Sequence, residues 1–353
     1  MKKKWRALML TVLAAIFVLV ACGQQGGNAA SSSGSQATSS TDTSEKTSSS
    51  SNKLKIVTTF YPMTALTQAV AGDHAEISTM IKGNTEAHDY EPSAQDIAAL
   101  QEADVFVYNS EDMEGWVEDT LKTVANKNLK VIEAADEVEE MSGDVMTIDG
   151  KTATHEDLEA EEHHEDGDHH DHDDDDDIDH HADPHTWLDP VNAQMEVTEI
   201  ANELAEVDPT NAKSYKDNAN AFNQKLQKLA DDFASATKDA KTKTFVTQHA
   251  AFNYLAHRYG LTQVAVTGVS DNMEPSAQRM AEVQDYLKKN NTTYMFVQEG
   301  TSDQLAKSLT EGTNTKISTL NSMETFSNDD ELTGDGFLQK MQDNLEHLKL
   351  VLN

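Results

Sequence analysis

The chain has 353 residues, with 62 acidic and 27 basic side chains and a formal net charge of −35. A charge this negative argues against nucleic acid as a partner and favours cations. The chain has one cysteine, Cys22, so it lacks a pair for a disulfide, and a zinc site in it would have to use His, Asp and Glu.

The N-terminal residues have the pattern of an export signal. A basic start at residues 2–6 precedes an apolar run at residues 7–20, which is shorter than the roughly 18 residues that a membrane-spanning helix needs. Cys22 follows Leu-Val-Ala directly, an order that resembles the lipobox of bacterial lipoproteins. We therefore expect residues 1–21 to be a lipoprotein signal peptide, and residues 22–52 to be the lipidated Cys22 and a flexible tether rich in Ser and Thr.

Residues 53–190 are predicted to form an N-terminal α/β lobe, because short β-branched runs alternate there with helical patterns. Ser93 and Asp96 have the spacing of a capping pair at the start of a helix. The predicted strands are residues 55–59, 76–81, 105–108 and 130–132, and the predicted helices between them include residues 63–71 and 93–102.

A His-rich loop, residues 155–183, lies within this lobe. It holds eight histidines and sixteen acidic residues and lacks Lys and Arg. A stretch this charged cannot bury enough apolar surface to offset its ordering entropy, so we expect it to be mobile. It is predicted to bind metal as an auxiliary site, the alternative being a solvated acidic run with incidental histidines. The predicted auxiliary ligands are His163, His164, His169, His170, His172, His180 and His181.

The second half of the chain begins with a linking backbone helix region, residues 191–242, that has one interruption at Asp208-Pro209. Residues 243–353 are predicted to form a C-terminal α/β lobe, without a close sequence repeat of the first. Its predicted strands are residues 244–247, 264–266, 294–297 and 316–320, and its predicted helices are residues 251–259, 276–289, 302–311 and 336–352. The predicted fold is therefore α/β, with two (β/α) lobes joined by a long helix.

Five candidate ligands stand in loops or at strand ends of these lobes: His88, His185, His249, Glu299 and Glu324. Ligands in open α/β sheets bind beyond the carboxyl ends of the strands. Each residue alone is a weak signal, since a lone histidine is more often a surface or core residue. Three imidazoles and one carboxylate from separate segments could, however, converge on one tetrahedral metal site in the cleft between the lobes.

Several sequence blocks resemble the motifs of zinc-binding ABC-transporter lipoproteins, the ZnuA/AdcA-like group. The blocks are Gly-Asn with His-Asp-Tyr-Glu-Pro (83–92), Asp-Pro-His-Thr-Trp-Leu-Asp-Pro (183–190), His-Ala-Ala-Phe-Asn-Tyr-Leu-Ala (249–256), Asp-Asn-Met-Glu-Pro-Ser (271–276), Phe-Val-Gln-Glu (296–299) and Met-Gln-Asp-Asn-Leu (341–345). The resemblance implies lobes bridged by a rigid backbone helix, with one metal held in the cleft and passed to a membrane permease. It also implies a lipid-anchored monomer on the extracytoplasmic face of the bacterial cell membrane.

The matching motifs imply His88, His185 and His249 as metal ligands. The family's fourth ligand is a carboxylate in a loop that usually reads Leu-Asn-Pro-Leu-Glu, which here reads Leu-Asn-Ser-Met-Glu (320–324). Glu324 is therefore the predicted fourth ligand although the proline is missing, and Glu299 or a water is the alternative. Asp189 is predicted either to orient an imidazole or to cap a helix.

Imidazole ligands suit Zn²⁺, whereas Mn²⁺ is better served by carboxylate oxygens. Manganese-binding relatives carry Glu where this chain has His249, so the resemblance implies Zn²⁺ as the transported ligand, with Mn²⁺ as the alternative. A zinc hydrolase would need an open coordination position and a general base, and the sequence lacks a His-Glu-x-x-His motif, so we expect no catalysis. The third alternative is a surface adhesin or metal-storage protein in which the His-rich loop itself binds the metal.

Overall fold

A computed structural model describes most of the chain from residue 53 onward. The described residues are 53–83, 85–143, 145–146, 152–153, 182–269, 275–299, 302–326 and 332–352. The predicted signal peptide, Cys22, the tether and nearly all of the His-rich loop lie outside them, as do residues 271–274 of one motif block. Among the described residues, no helix has both the length and the apolar character needed to cross a bilayer.

The first lobe is built on a parallel sheet. Its strands are β1 (Leu54–Thr58), β2 (Ala75–Thr79), β3 (Val105–Tyr108) and β4 (Lys130–Glu133), and its helices are α1 (Tyr61–Ala71), α2 (Ala94–Glu102) and α3 (Val117–Thr123). The strands lie in the order β2-β1-β3-β4. All four residues of β3 are buried, because an inner strand is covered on both faces, and this accounts for their unbroken apolar sequence.

The starts of two helices in this lobe differ in how clearly the sequence signals them. The Ser93 side chain accepts a hydrogen bond from the backbone N–H of Asp96, and the Asp96 carboxylate accepts one from the backbone N–H of Ser93, so the predicted capping pair is confirmed. The helix α3 was not predicted from the sequence. Its seven residues bury only Val117 and Thr120, too few to reveal a helical period.

A helical region leads from the first sheet to the second. A short antiparallel pair, β5 (Val145–Met146) and β6 (Thr152–Ala153), comes before it, and the region consists of α4 (Pro190–Val207) and α5 (Ala212–Lys238). The predicted interruption at Asp208-Pro209 separates the two helices, since proline lacks the N–H that a continuing helix would use. The 27 residues of α5 extend about 40 Å, and α5 packs against α1 and α4.

The second lobe is built on another parallel sheet, with the order β8-β7-β9-β10. Its strands are β7 (Thr244–Thr247), β8 (Thr262–Ala265), β9 (Tyr294–Val297) and β10 (Lys316–Thr319), and its helices are α6 (Asn253–Arg258), α7 (Ala277–Lys289), α8 (Gln304–Thr310) and α9 (Gly334–Leu348). Neighbouring residues of β7 pack into different hydrophobic cores, because successive side chains of a strand point to opposite faces of the sheet. Phe245 joins the main core, whereas Val246 packs with α7 and α8.

The main hydrophobic core is continuous from the first sheet through the helical region to the second sheet. It contains Phe106 of β3, Leu226 of α5, Phe245 of β7 and Phe296 of β9, each at most 1 % exposed. This shared core fixes the carboxyl ends of strands from both sheets relative to one another. The predicted fold class, two α/β lobes joined by a long backbone helix, is confirmed.

Candidate metal centre

Four of the five candidate ligands meet between the lobes. Donor atoms of His88, His185, His249 and Glu324 all lie within 4.8 Å of one another. His88 follows β2, His249 follows β7 and Glu324 follows β10, while His185 begins a single 3-10 turn ahead of α4. The four side chains thus come from four separate segments of the chain.

The imidazoles present the same ring nitrogen to one carboxylate oxygen. Oε1 of Glu324 lies 2.9 Å from Nε2 of His88, 2.9 Å from Nε2 of His185 and 3.3 Å from Nε2 of His249. His185 and Glu324 are at most 1 % exposed, and His249 is 5 % exposed. The donor atoms therefore face one another in a nearly dry site, where electrostatic interactions are strong.

Two of the imidazoles are oriented through their other nitrogen. Nδ1 of His185 lies 2.7 Å from Oδ1 of Asp183, and Nδ1 of His249 lies 3.0 Å from the backbone oxygen of Gly268. A carbonyl oxygen only accepts hydrogen bonds, so Nδ1 of His249 carries a proton and its Nε2 can donate a lone pair to a metal. The role of Asp183 was not predicted from the sequence, although its place two residues before His185 was a signal for one.

The loop that carries Glu324 is held by hydrogen bonds to Asn344 and Trp187. Oδ1 of Asn344 accepts a hydrogen bond from the backbone N–H of Asn321 at 2.7 Å, and Nδ2 of Asn344 donates one to the backbone oxygen of Asn321 at 2.8 Å. Nε1 of Trp187 donates to the backbone oxygen of Ser322 at 2.8 Å, which links this loop to the turn of His185. These roles were not predicted from the sequence, although Trp187 and Asn344 lie in two of the quoted motif blocks.

Burial and the carboxylates together set the charges in the cluster. Burial lowers the pKa of His185, but the carboxylates of Asp183 and Glu324 outweigh it and raise that pKa to about 10. Burial also lowers the pKa of His88, which Glu324 compensates only in part. Burial would raise the pKa of Glu324, yet the imidazoles hold it well below its ordinary value. Before a metal binds, Glu324 is therefore ionised and His185 is protonated.

Glu299 and Asp189 lie outside the cluster. The Glu299 side chain is 64 % exposed, and its Oε2 accepts a hydrogen bond from the Asn321 amide at 2.6 Å. Asp189 is buried, its Oδ1 caps α4 by accepting from the N–H of Val191 at 2.9 Å, and its Oδ2 pairs with Arg258. Glu299 therefore braces the Glu324 loop, and Asp189 holds the start of α4 against α6.

The donor set defines which ions fit the cluster. Three imidazole nitrogens and one carboxylate oxygen suit a four-coordinate ion of borderline softness. The remaining predicted site residues, Cys22 and the seven auxiliary histidines of the His-rich loop, lie outside the described residues.

The sequence and the fold are similar to those of known zinc-uptake proteins. The zinc-binding lipoprotein AdcA of Streptococcus pneumoniae strain R6 is 41% identical over 297 residues, which are 84% of this chain and 55% of AdcA, so the chain spans about half the length of the AdcA relatives that it matches. The high-affinity zinc uptake system protein ZnuA of Bacillus subtilis strain 168 is 37% identical over 350 residues, 99% of this chain and 98% of that protein.

Structural similarity agrees with the sequence matches. The Zn(II)-bound crystal structure of the ZnuA-like domain of S. pneumoniae AdcA has a TM-score of 0.68 and 38% identity, and the match covers 85% of this chain and 99% of that domain. The family model described as "ZnuA: Zinc-uptake complex component A periplasmic" matches residues 56–350. The resemblance seen in the motifs is thus confirmed, and this chain belongs to the ZnuA family.

Proposed function

We propose that this protein captures Zn²⁺ outside the cell membrane and delivers it to the permease of an ABC importer. The observation that carries this proposal is the convergence of His88, His185, His249 and Glu324 in the cleft between the lobes. Zinc is the cargo of the site, and its four ligands are the three Nε2 atoms and Oε1 of Glu324.

Three observations favour zinc over manganese. The donor set has three nitrogens and one oxygen, whereas Mn²⁺ prefers more oxygen ligands. His249 occupies a position where the resemblance leads us to expect Glu in manganese-binding relatives. The matched AdcA and ZnuA proteins are named for zinc, and the matched AdcA domain was crystallised with it.

The same geometry favours capture over catalysis. A catalytic zinc keeps one coordination position for water or substrate, whereas four protein donors fill a tetrahedral sphere. His185 and Glu324 are buried, which leaves little room for a substrate beside the metal. A filled coordination sphere suits a protein that captures an ion and carries it as cargo.

The test of this function is metal binding by the purified protein. We expect metal analysis and competitive titration to find one tightly bound Zn²⁺ per chain in the cleft. His249→Ala should abolish this tight site, and His257→Ala, an exposed histidine on the neighbouring helix α6, is the matched control. Unchanged zinc affinity in His249→Ala would exclude the proposed ligand set.

Cell attachment and delivery need separate tests. We propose that a lipid on Cys22 anchors the protein, as in the relative named a zinc-binding lipoprotein, and that residues 23–52 tether the folded part to it. Cys22→Ser should release the protein from the membrane fraction. A deletion strain should grow poorly only when zinc is chelated, and added zinc should restore its growth.

The His-rich loop is proposed to collect zinc for the cleft. Its imidazoles and carboxylates are dense, and its last residue, Asp183, lies two positions before His185. Each ion that orders so highly charged a segment costs conformational entropy, so these sites should be weaker than the cleft. In titration calorimetry, a loop-deleted protein should keep one tight zinc and lose the weak ones. Equal stoichiometry in both proteins would assign the loop no role in binding.

A further inference from the structure

The two oxygens of the Glu324 carboxylate have different partners. Oε1 faces the Nε2 atoms of the three histidines, at 2.9 to 3.3 Å. Oε2 points to the opposite side of the carboxylate and accepts a hydrogen bond from Oγ of Ser322 at 2.5 Å. Ser322 and Glu324 are each 1 % exposed, so water does not compete for this bond.

We propose that Ser322 is a positioning residue that confines Glu324 to a single ligand oxygen and thereby keeps the metal four-coordinate. This inference rests on the proposed zinc-binding function. For Oε2 to join the metal as a fifth donor, the carboxylate would have to rotate and leave the Ser322 hydroxyl without its acceptor. A buried polar group without a partner is costly, so the one-oxygen arrangement is favoured.

The backbone holds the Ser322 hydroxyl in place. Met323, between Ser322 and Glu324, has a φ of 66°, which reverses the chain so that both side chains reach the same region. Its N–H donates to Oδ1 of Asn321 at 2.8 Å, and Met323 itself is fully buried. Trp187 binds the backbone oxygen of Ser322 at 2.8 Å. The hydroxyl is therefore oriented by its surroundings before any metal arrives.

Ser322 stands at a position where the motif that this chain resembles has another residue. The family motif has proline at the position of Ser322, and proline has no side-chain donor. The departure from Leu-Asn-Pro-Leu-Glu thus replaces a rigid ring with a hydrogen bond to the ligand. A single-oxygen Glu324 gives a donor set of three nitrogens and one oxygen, which suits Zn²⁺, whereas a second oxygen would move the site toward the higher coordination that Mn²⁺ accepts.

The test uses the full mature protein loaded with Co²⁺, whose visible absorption is intense in four-coordinate sites and several times weaker in five- or six-coordinate sites. We expect a strong band for the unmodified protein and a much weaker one for Ser322→Ala. Ser322→Gly, which removes the same hydroxyl, should give the same result, and Ser322→Thr, which keeps a hydroxyl, should restore the strong band. Ser308→Ala, an exposed serine on α8, is the matched control.

Metal competition supplies the second readout. We expect Zn²⁺ affinity to fall about tenfold in Ser322→Ala, as is typical when a ligand loses an outer partner, and Mn²⁺ affinity to fall less, because a second carboxylate oxygen suits Mn²⁺. The ratio of Mn²⁺ to Zn²⁺ affinity should therefore rise. An unchanged Co²⁺ spectrum and ratio in Ser322→Ala would overturn the inference, as would an equal loss of affinity for both metals, which indicates loop damage alone. Failure of the unmodified protein to bind zinc would instead overturn the proposed function, so the two failures are distinguishable.

Discussion

The two lobes share one topology but support their metal-facing side chains differently. If the strands of each sheet are numbered within their own lobe, both sheets have the order second, first, third, fourth. His88 follows the second strand of its sheet, whereas His249 and Glu324 follow the first and fourth strands of theirs. A repeated topology therefore supplies strand ends that face one cleft, and individual side chains decide which ends are used.

The supporting groups differ in charge. On the side of the first lobe (the first side), the carboxylate of Asp183 binds Nδ1 of His185. On the side of the second lobe (the second side), the neutral backbone carbonyl of Gly268 binds His249, and the neutral hydroxyl of Ser322 binds Glu324. A carboxylate stabilises a protonated imidazole, which is why the pKa of His185 is raised to about 10. Metal binding to His185 must therefore displace a proton, whereas His249 and Glu324 of the second lobe are oriented by neutral groups.

Removing one ligand from either side should have the largest effect. His185→Ala should weaken zinc binding by more than the roughly 100-fold that loss of an outer partner can cost, because it removes a direct donor. Glu324→Gln should also weaken it, because a neutral amide oxygen replaces an anionic one. Competitive titration measures the affinities, and Glu299→Gln, which changes a hydrogen-bond partner of Asn321 but no donor of the cluster, serves as the comparison. If Glu299→Gln lost as much zinc affinity as Glu324→Gln, the assignment of Glu324 as the fourth ligand would be wrong.

The proton on His185 should make zinc binding strongly dependent on pH. Proton and metal compete for Nε2, and with a folded pKa of about 10 the proton is present throughout the range from pH 8 to 6. Zinc affinity should therefore fall about tenfold for each pH unit that the solution is made more acidic. Calorimetry at pH 7.5 in buffers of different ionisation enthalpy should detect about one proton released per zinc. Release of none would mean that His185 is neutral.

Asp183→Asn would make the first side resemble the second, because a neutral amide replaces the carboxylate. We expect zinc affinity to fall about 10- to 100-fold. Proton release at pH 7.5 should fall as well, since the pKa of His185 would drop without the negative charge. Asp119→Asn, an exposed acid on α3, is the matched control. Unchanged proton release would contradict the proposed role of the Asp183 charge.

The smallest predicted effect concerns a buried acid on the helical region, away from the cluster. Burial raises the pKa of Glu196 on α4 to about 7, more than the nearby Thr186 lowers it. The folded state thus holds a proton that the unfolded state has released, and stability falls as pH rises from about 4.5 to 7. Glu196→Gln removes the carboxyl group and with it the cost of ionising it in the folded protein. The free energy of unfolding of the variant, relative to that of the unmodified protein, should therefore rise by about 1 kcal/mol between pH 6 and 8. Denaturant unfolding at both pH values checks this, and a constant difference would contradict it.

Much of the architecture could be predicted because its signals are local. The residues of β3, β7 and β9 form short runs rich in β-branched and aromatic side chains, and Ser93 and Asp96 are three positions apart. The helix α3 escaped prediction because seven residues with two buried side chains do not reveal a period. The candidate ligands stood in quoted motif blocks or at strand ends, but the choice between Glu299 and Glu324 could not be made from spacing.

The sequence by itself determined the α/β pattern, the composition of the His-rich loop and a short set of candidate ligands, and it predicts the export and lipidation signals, because these depend on neighbouring residues or on motif blocks. Only the tertiary structure decided that Glu324 faces three imidazoles while Glu299 is exposed, that Asp183 and Gly268 orient the rings, and that Ser322 holds Oε2 of Glu324. Trp187 and Ser322 are 135 positions apart, and His185 and Glu324 are 139 positions apart. Contacts over such separations arise from the packing of two sheets on a shared core, which no local pattern encodes.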